Sequence, residues 1–200
     1  MATRMRSRER RQAIIESAIR LFAEKGFRGA TTRELAGALG VSEPVLYQHF
    51  ATKRDLYAAI IESKAGEGRE LSAGLRKRLT GSDDRAFFRE LASVILLRAD
   101  KDPQFLRLLL FSALERHELA RRFYASHVVH FHELVAGYIR RRIREGAFRR
   151  VKPDLAARAF IGMVNGYANS HVLFSEPAPA HDTRLIRQLV DLFLQGILRR

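Results

Sequence analysis

Residues 31–53, TTRELAGALGVSEPVLYQHFATK, decide how this chain is read. Thr31 followed three places later by Glu34 reads as a capping box, which starts a short helix. That helix carries Leu35, Ala36 and Leu39 and stops at Gly40, a residue that accepts a left-handed turn. Ser42 is a favoured N-cap for the next helix, and Pro44 falls in its first turn, where a missing N–H does little harm. Val41, Leu46 and Phe50 give that helix an inner face, and Glu43, Val45, Gln48 and His49 are left outside. Small Ala36 suits the point where the two helices cross. The pair reads as a helix-turn-helix. Its second helix has the form that enters a major groove and reads base edges with its N-terminal residues. The same geometry occurs in proteins that never touch DNA, so a helical ligand-binding or interaction protein is the alternative reading.

Outward from this segment, apolar residues recur at helical spacing and no stretch alternates with period two over strand length. Ahead of it, Ile14, Ala18, Leu21 and Phe22 mark a helix over 9–25, ended by Gly26. Behind it, Thr52 with Asp55 caps a helix through Leu56, Ile60 and Ile61, in which Gly66, Gly68 and Gly74 weaken the pattern. A loop at 80–84 precedes a helix with Phe87, Phe88, Leu91, Ile95 and Leu96. Asp102-Pro103 restarts the chain into a helix holding Phe105 to Leu114. One long helix is expected from about Glu118 to Glu145, ended by Gly146. Another runs from Pro153 to about Phe174, then a linker from Ser175 to Asp182, then a last helix through Ile197. The fold class is all-α, about nine helices, with a helix-turn-helix over 1–55 and a helical remainder over 56–200.

The chain has 200 residues with 36 Lys+Arg against 22 Asp+Glu, a formal charge of +14. Such an excess favours a polyanionic partner, because neutralised phosphates release counterions. Basic proteins also bind acidic proteins and membrane surfaces. The N-terminal arm carries Arg4, Arg6, Arg8, Arg10 and Arg11, which read either as a charged tail or as transient phosphate or minor-groove contacts. There is no cysteine, so disulfides, thiolate metal sites and a Cys nucleophile are excluded. No signal-peptide core follows the arm, and no apolar run reaches the roughly 18 residues that span a bilayer. A cytoplasmic chain with no membrane partner is the expectation. No nucleophile–base pair, phosphate loop or metal motif appears, so an enzyme is not expected, nor a cofactor or a metal.

Several independent positions resemble the tetracycline-repressor (TetR) family. They are Ile15-x-x-Ala18-x-x-Leu21-Phe22-x-x-x-Gly26-Phe27, then Ala30-Thr31-Thr32-x-x-Leu35-Ala36, then Leu39-Gly40-Val41-Ser42, then Leu46-Tyr47-x-His49-Phe50-x-x-Lys53-x-x-Leu56. The resemblance covers roughly the first 55 residues. Beyond them only helix order and length agree. It implies a recognition helix from Ser42 to Phe50, including Pro44, and phosphate contacts from Thr32, Tyr47, His49 and Lys53. Hydroxyls, Lys and helix N-termini are the usual phosphate anchors, which supports those roles independently. Arg33, in the first turn of its helix, is placed for phosphate or a base edge. Many members have a small or basic residue and a Gly where this chain has Glu43 and Pro44. Glu43 would repel phosphate, yet a carboxylate also accepts from a cytosine amino group.

For the remainder, the resemblance implies a dimer interface and a small-molecule pocket. The last two helices would pair with their mates as a four-helix bundle. Gly162 and Gly166 offer a smooth strip for close approach, and Leu185, Leu189, Leu192 and Phe193 are more than one edge helix should expose. The same residues would also suit a monomer's core. Pocket candidates are the aromatics Phe88, Phe105, Phe123, Tyr124, Phe131 and Tyr167, with polar His127, His130, Asn165 and Asn169. Apolar walls with few polar groups suit a hydrophobic effector. Each aromatic has core packing as its plainer role. His127, His130 and His132 share one helix without a clearly placed third ligand. The basic run from Arg140 to Lys152 reads as a solvated helix end. The resulting expectation is a ligand-responsive regulator, a repressor in the family's usual sense, acting as a homodimer on a near-palindromic double-stranded DNA operator. Its effector is not named by any residue.

Overall fold

A computed structural model describes the backbone of residues 2–78, 81–174 and 182–198. Side chains are described there except at 2–8, 65, 67–74, 76–78 and 119. The elements are α1 (Ala2–Gly29), α2 (Thr32–Ala38), α3 (Glu43–His49), α4 (Lys53–Arg78), α5 (Asp84–Lys101), α6 (Pro103–Leu114) and α7 (Glu118–Phe123). A π-helical turn (Tyr124–Val128) then leads into α8 (Val129–Arg144), α9 (Pro153–Phe174) and α10 (Thr183–Ile197). Among the described residues there is no strand, and an isolated bridge joins Phe148 to Leu198. The linker expected at 175–182 lies outside the described residues except for Asp182.

The chain divides into two compact units, Met1–Gly66 with Gln104–Phe123, and Glu67–Pro103 with Tyr124–Arg200. In the first unit, Ile14, Ile15, Ala18, Phe22, Leu35, Leu46, Leu56 and Ile60 are buried, so α1 to α4 close over one apolar centre. The rings of Phe22, Phe27 and Tyr57 meet at 5.2–5.9 Å, and His117 lies 4.2 Å from Phe27. The first helical stretch of α1 breaks at Gly26, as its glycine suggests. Gly26 adopts φ 71, and the helix resumes to Gly29. The break is held from outside. Glu115 accepts the backbone N–H of Phe27 at 3.0 Å and of Arg28 at 3.3 Å. A Cβ on Gly26 would lie 2.6 Å from Glu115 Oε1, so glycine is required both by φ and by this close approach.

In the second unit, α9 packs on α5 and α8, and α10 on α5 and α9. Phe88 sits fully buried at the centre, with its ring 4.8 Å from Phe160 and 4.9 Å from Phe193. Asp83 caps α5 through Ala86 N–H at 2.9 Å, and Asp182 caps α10 through Leu185 N–H at 2.9 Å. One polar cluster beside this core is part-buried. Arg142 donates from Nε to Asp84 Oδ1 at 2.8 Å and from Nη2 to Oδ2 at 3.1 Å, while the Tyr138 hydroxyl donates to Oδ1 at 2.7 Å. Burial and the hydrogen bond to Asp84 push the Tyr138 phenol up from its ordinary value.

The helix expected over 118–145 runs without a gap from Glu118 to Arg144, with a π-helical turn at Tyr124–Val128 inside it. The apolar pattern runs through the turn, which is why it does not register as a change of period. The basic run from Arg140 is not uniformly solvated. Arg142 is in the part-buried cluster, Arg141 pairs with Glu145 at 2.8 Å, and Arg149 donates to the Gly196 carbonyl at 2.6 Å. Arg140, Arg144, Arg149, Arg150 and Lys152 stay exposed.

Candidate nucleic-acid interface

Both short helices are shaped by their ends. Thr31 takes extended dihedrals (φ −97, ψ 156) and accepts Glu34 N–H, while the Glu34 carboxylate accepts Thr31 N–H at 2.9 Å. This is the complete capping box. The ion pair with Lys25 at 2.5 Å, together with the two Thr31 bonds, holds the Glu34 carboxyl down to about 2. At the other end Gly40 has φ 63, Gly40 N–H donates to Gly37 O at 3.1 Å and Val41 N–H to Ala36 O at 3.0 Å. These two bonds form a Schellman motif, which satisfies the last carbonyls and turns the chain into α3.

α3 is anchored from beneath and open above. Leu46 and Phe50 are 2% and 4% exposed, and the Arg11 guanidinium lies 4.6 Å over the Phe50 ring. Ser42, Pro44, Tyr47 and Gln48 are exposed, and Glu43, Val45 and His49 are half-buried. Ser42 has N-cap dihedrals but its side chain makes no capping bond. Its backbone carbonyl instead accepts Val45 and Leu46 N–H at 3.0 and 3.2 Å.

The remaining contact candidates are committed within the protein. Thr32 Oγ1 donates to Glu43 Oε2 at 2.9 Å, and the other Glu43 oxygen is 3.7 Å from Arg33 Nε. Glu43 therefore ties the start of α3 to the start of α2. Lys53 donates to the Ala30 carbonyl at 2.6 Å and lies 4.4 Å over the Phe27 ring. Burial pushes its ammonium pKa down, against the opposing charges of Glu115 and Glu34. It secures α4 to the corner between α1 and α2. Neither partnership was visible in the sequence, since nothing in Thr32 or Lys53 names a mate 11 or 23 residues away.

The effector candidates fall in both units. Phe105 and Phe123 belong to the first unit, where their rings meet edge-on at 5.8 Å and both are buried. In the second unit Phe88 is core. Tyr124, His130, Asn165 and Tyr167 are exposed, and His127, Phe131 and Asn169 are half-buried. Tyr124 accepts from Arg158 at 3.2 Å, and His127 Nδ1 meets Ser126 Oγ at 2.7 Å. Nearby, one ring nitrogen of His132 is buried with no hydrogen-bond partner. Among the described residues no group of three or more potential ligands could hold a metal.

The dimerisation candidates divide as well. Leu189 and Phe193 are each 7% exposed and turned into their own unit. Leu185 is half-buried, Leu192 is 64% exposed, and Gly162 and Gly166 are exposed with open space where a Cβ would stand. Leu155, Tyr167, Leu173 and Phe174 join Leu192 as exposed large apolar residues of α9 and α10, and sequence patterning had not singled out Leu155, Leu173 or Phe174.

Comparison with known proteins bears on both parts of the chain. The family model for bacterial regulatory proteins of the tetR family matches residues 14–60. That for the C-terminal domain of AefR-like transcriptional repressors matches residues 91–196. The HTH-type transcriptional activator FasR of Mycolicibacterium smegmatis is 34% identical over 102 residues, 50% of this chain and 45% of FasR. The uncharacterized HTH-type transcriptional regulator YerO of Bacillus subtilis is 28% identical over 200 residues, 96% of this chain and 66% of YerO. The chain thus spans under half of FasR and 66% of YerO. Among solved structures, AibR in complex with isovaleryl coenzyme A and operator DNA superposes with a TM-score of 0.66 at 21% identity, covering 94% of this chain and 97% of AibR. These relatives are transcriptional regulators, not enzymes.

Proposed function

The chain belongs to the tetR family of bacterial regulatory proteins, and from that premise we propose a ligand-responsive repressor that binds a near-palindromic operator as a homodimer. A small hydrophobic effector releases it. The observation that carries the DNA reading is α3 itself. Its inner face is pinned by Leu46 and Phe50, while Ser42, Pro44, Tyr47 and Gln48 face outward. A rigid seat beneath an open polar face is what base-edge readout needs.

In this reading residues 1–55 read DNA and 56–200 bind effector and partner. Ser42, Tyr47 and His49 meet phosphate, with Thr32 and Arg33 on the preceding helix. Lys53 adds the N–H groups that Ala30 does not take. Gln48 and Val45 meet bases. Two such helices stand about 34–36 Å apart in the dimer, one turn of duplex. The exposed apolar residues of α9 and α10, with the open strip at Gly162 and Gly166, support those helices as the dimer surface. The effector acts by binding one conformer better than the other; tight binding alone would shift nothing. His127, Phe131 and Asn169, half-buried on α8, the π turn and α9, are the candidates best placed to touch it. Such a mixture of apolar and polar side chains suits a hydrophobic molecule with one polar end, and AibR was solved in complex with isovaleryl coenzyme A. With no helix among the described residues long and apolar enough to cross a membrane, the cytoplasm is the proposed location.

The test is fluorescence anisotropy on duplexes tiled across the gene's own upstream region. Tyr47→Phe with Lys53→Ala should weaken binding to every duplex and flatten the salt dependence, whereas Gln48→Ala should change which operator bases are tolerated. Binding indifferent to both changes would exclude α3 as the reader. Sedimentation of Leu192→Glu should show monomers where the parent chain is dimeric.

A further inference from the structure

The two contacts of Glu43 give this residue a role of its own. We propose that its carboxylate is an internal competitor for the phosphate donors Thr32 and Arg33, and so holds down the protein's affinity for DNA of any sequence. The proposal rests on the reading of α2 and α3 as the DNA-facing surface.

A threonine hydroxyl has one proton to donate. Thr32 gives it to Glu43 Oε2 at 2.9 Å. A phosphate oxygen that takes that proton must first displace the carboxylate. Arg33 is held more loosely, at 3.7 Å, with its side chain 92% exposed. A contact of that length and exposure exchanges readily. The displaced carboxylate does not leave the surface, because Glu43 is the first residue of α3 and is tethered beside the same donors. An incoming phosphate therefore meets a negative charge beside the donors it would use. Phosphates carry no sequence, so the penalty falls on every duplex alike. In a chain of formal charge +14 such a brake opposes the counterion-driven background affinity.

The experiment uses the full chain with Glu43→Gln, Thr32→Val and the double variant. Binding to a random-sequence duplex and to the operator duplex is measured across a potassium chloride series. Glu43→Gln should tighten binding to the random duplex about three- to tenfold and steepen its salt dependence by up to about one ion. Thr32→Val should weaken binding less in the parent, where Glu43 competes for its proton, than in the Glu43→Gln background. Glu43→Ala, with melting curves for each variant, repeats the charge removal if the amide disturbs folding. Unchanged or weaker binding to the random duplex overturns the proposal. A loss confined to the operator and to one base pair also overturns it and makes Glu43 a base reader. If the parent chain binds neither duplex, the DNA reading itself fails, a result separate from any effect of Glu43.

Discussion

Two clusters among the described residues join an arginine, a carboxylate and a hydroxyl, and they differ in almost everything but composition. In the second unit Arg142, Asp84 and the Tyr138 hydroxyl are joined by three bonds of 2.7–3.1 Å, with the Arg142 and Asp84 side chains each 12% exposed. At the start of α3, Arg33, Glu43 and the Thr32 hydroxyl are joined by one hydrogen bond and one 3.7 Å contact, with Arg33 and Glu43 92% and 37% exposed. Water decides what each can be. Charges largely removed from solvent cannot be left without their partners, so the part-buried cluster is fixed by the cost of opening it. Charges still in solvent lose little on parting, so the exposed cluster is free to exchange one partner for a phosphate. The same three groups therefore make a structural joint in one place and a replaceable contact in the other.

The comparison breaks most visibly if the part-buried cluster is cut. Asp84→Ala leaves the Arg142 guanidinium with Glu145 alone and takes the acceptor from Tyr138. The expected loss is about 3–5 kcal/mol of unfolding free energy, the usual cost of orphaning a buried ion. Tyr138→Phe removes one bond to a charged acceptor that keeps its arginine, and should cost about 1.5–3 kcal/mol. Urea melts of both variants check the order. Equal, small losses would mean that water reaches the cluster and the contrast with α3 is false.

How legible each region was follows from the range of its contacts. The helix-turn-helix could be read because everything that shapes it is local: Thr31 with Glu34, Gly40, and the apolar spacing of Leu35, Leu46 and Phe50. What engages its outer residues could not. Glu43 finds Thr32 across a turn, and Glu115 reaches Gly26's neighbours from almost ninety residues away. Asp84 and Arg142 lie 58 apart, and a run of arginines looks the same whether one of them is part-buried beside a core or not. In α10 the apolar residues Leu185, Ile186, Leu189, Leu192 and Phe193 share one broad face. Periodicity assigns them to that face without saying which part of it meets the chain's own core. Phe193 proves to be inside and Leu192 outside.

A smaller effect sharpens the contrast at the surface. Thr31→Ala removes the cap of α2 and should cost about 1 kcal/mol. Its mate Glu34 shows when the exposed contacts matter. The carboxyl sits at about 2 against an ordinary 4.5, first through Lys25 and then through Thr31. A depressed acid stabilises the fold while it is ionised. Its contribution is complete above 4.5, where the unfolded chain is also ionised, and fades as pH falls toward 2. The stability difference between the parent and Glu34→Gln should therefore be constant above 4.5 and shrink below it. A difference that began to change near neutral pH would point to a histidine instead.

The smallest expected change is the most exacting for the comparison. Glu43→Gln keeps a hydrogen-bond acceptor for Thr32 and surrenders an exposed ion pair. Folding stability should fall by no more than about 0.5 kcal/mol, within the range of solvent-screened pairs. The shift should disappear as salt is raised, since screening removes what little attraction there was. A melt at low and high salt separates this from a joint that holds α2 to α3. A loss of about 2 kcal/mol that persisted in salt would place Glu43 with Asp84, as a strut that DNA could not displace. A near-silent melt beside a several-fold change in DNA affinity would mean that this carboxylate contributes to binding and not to folding.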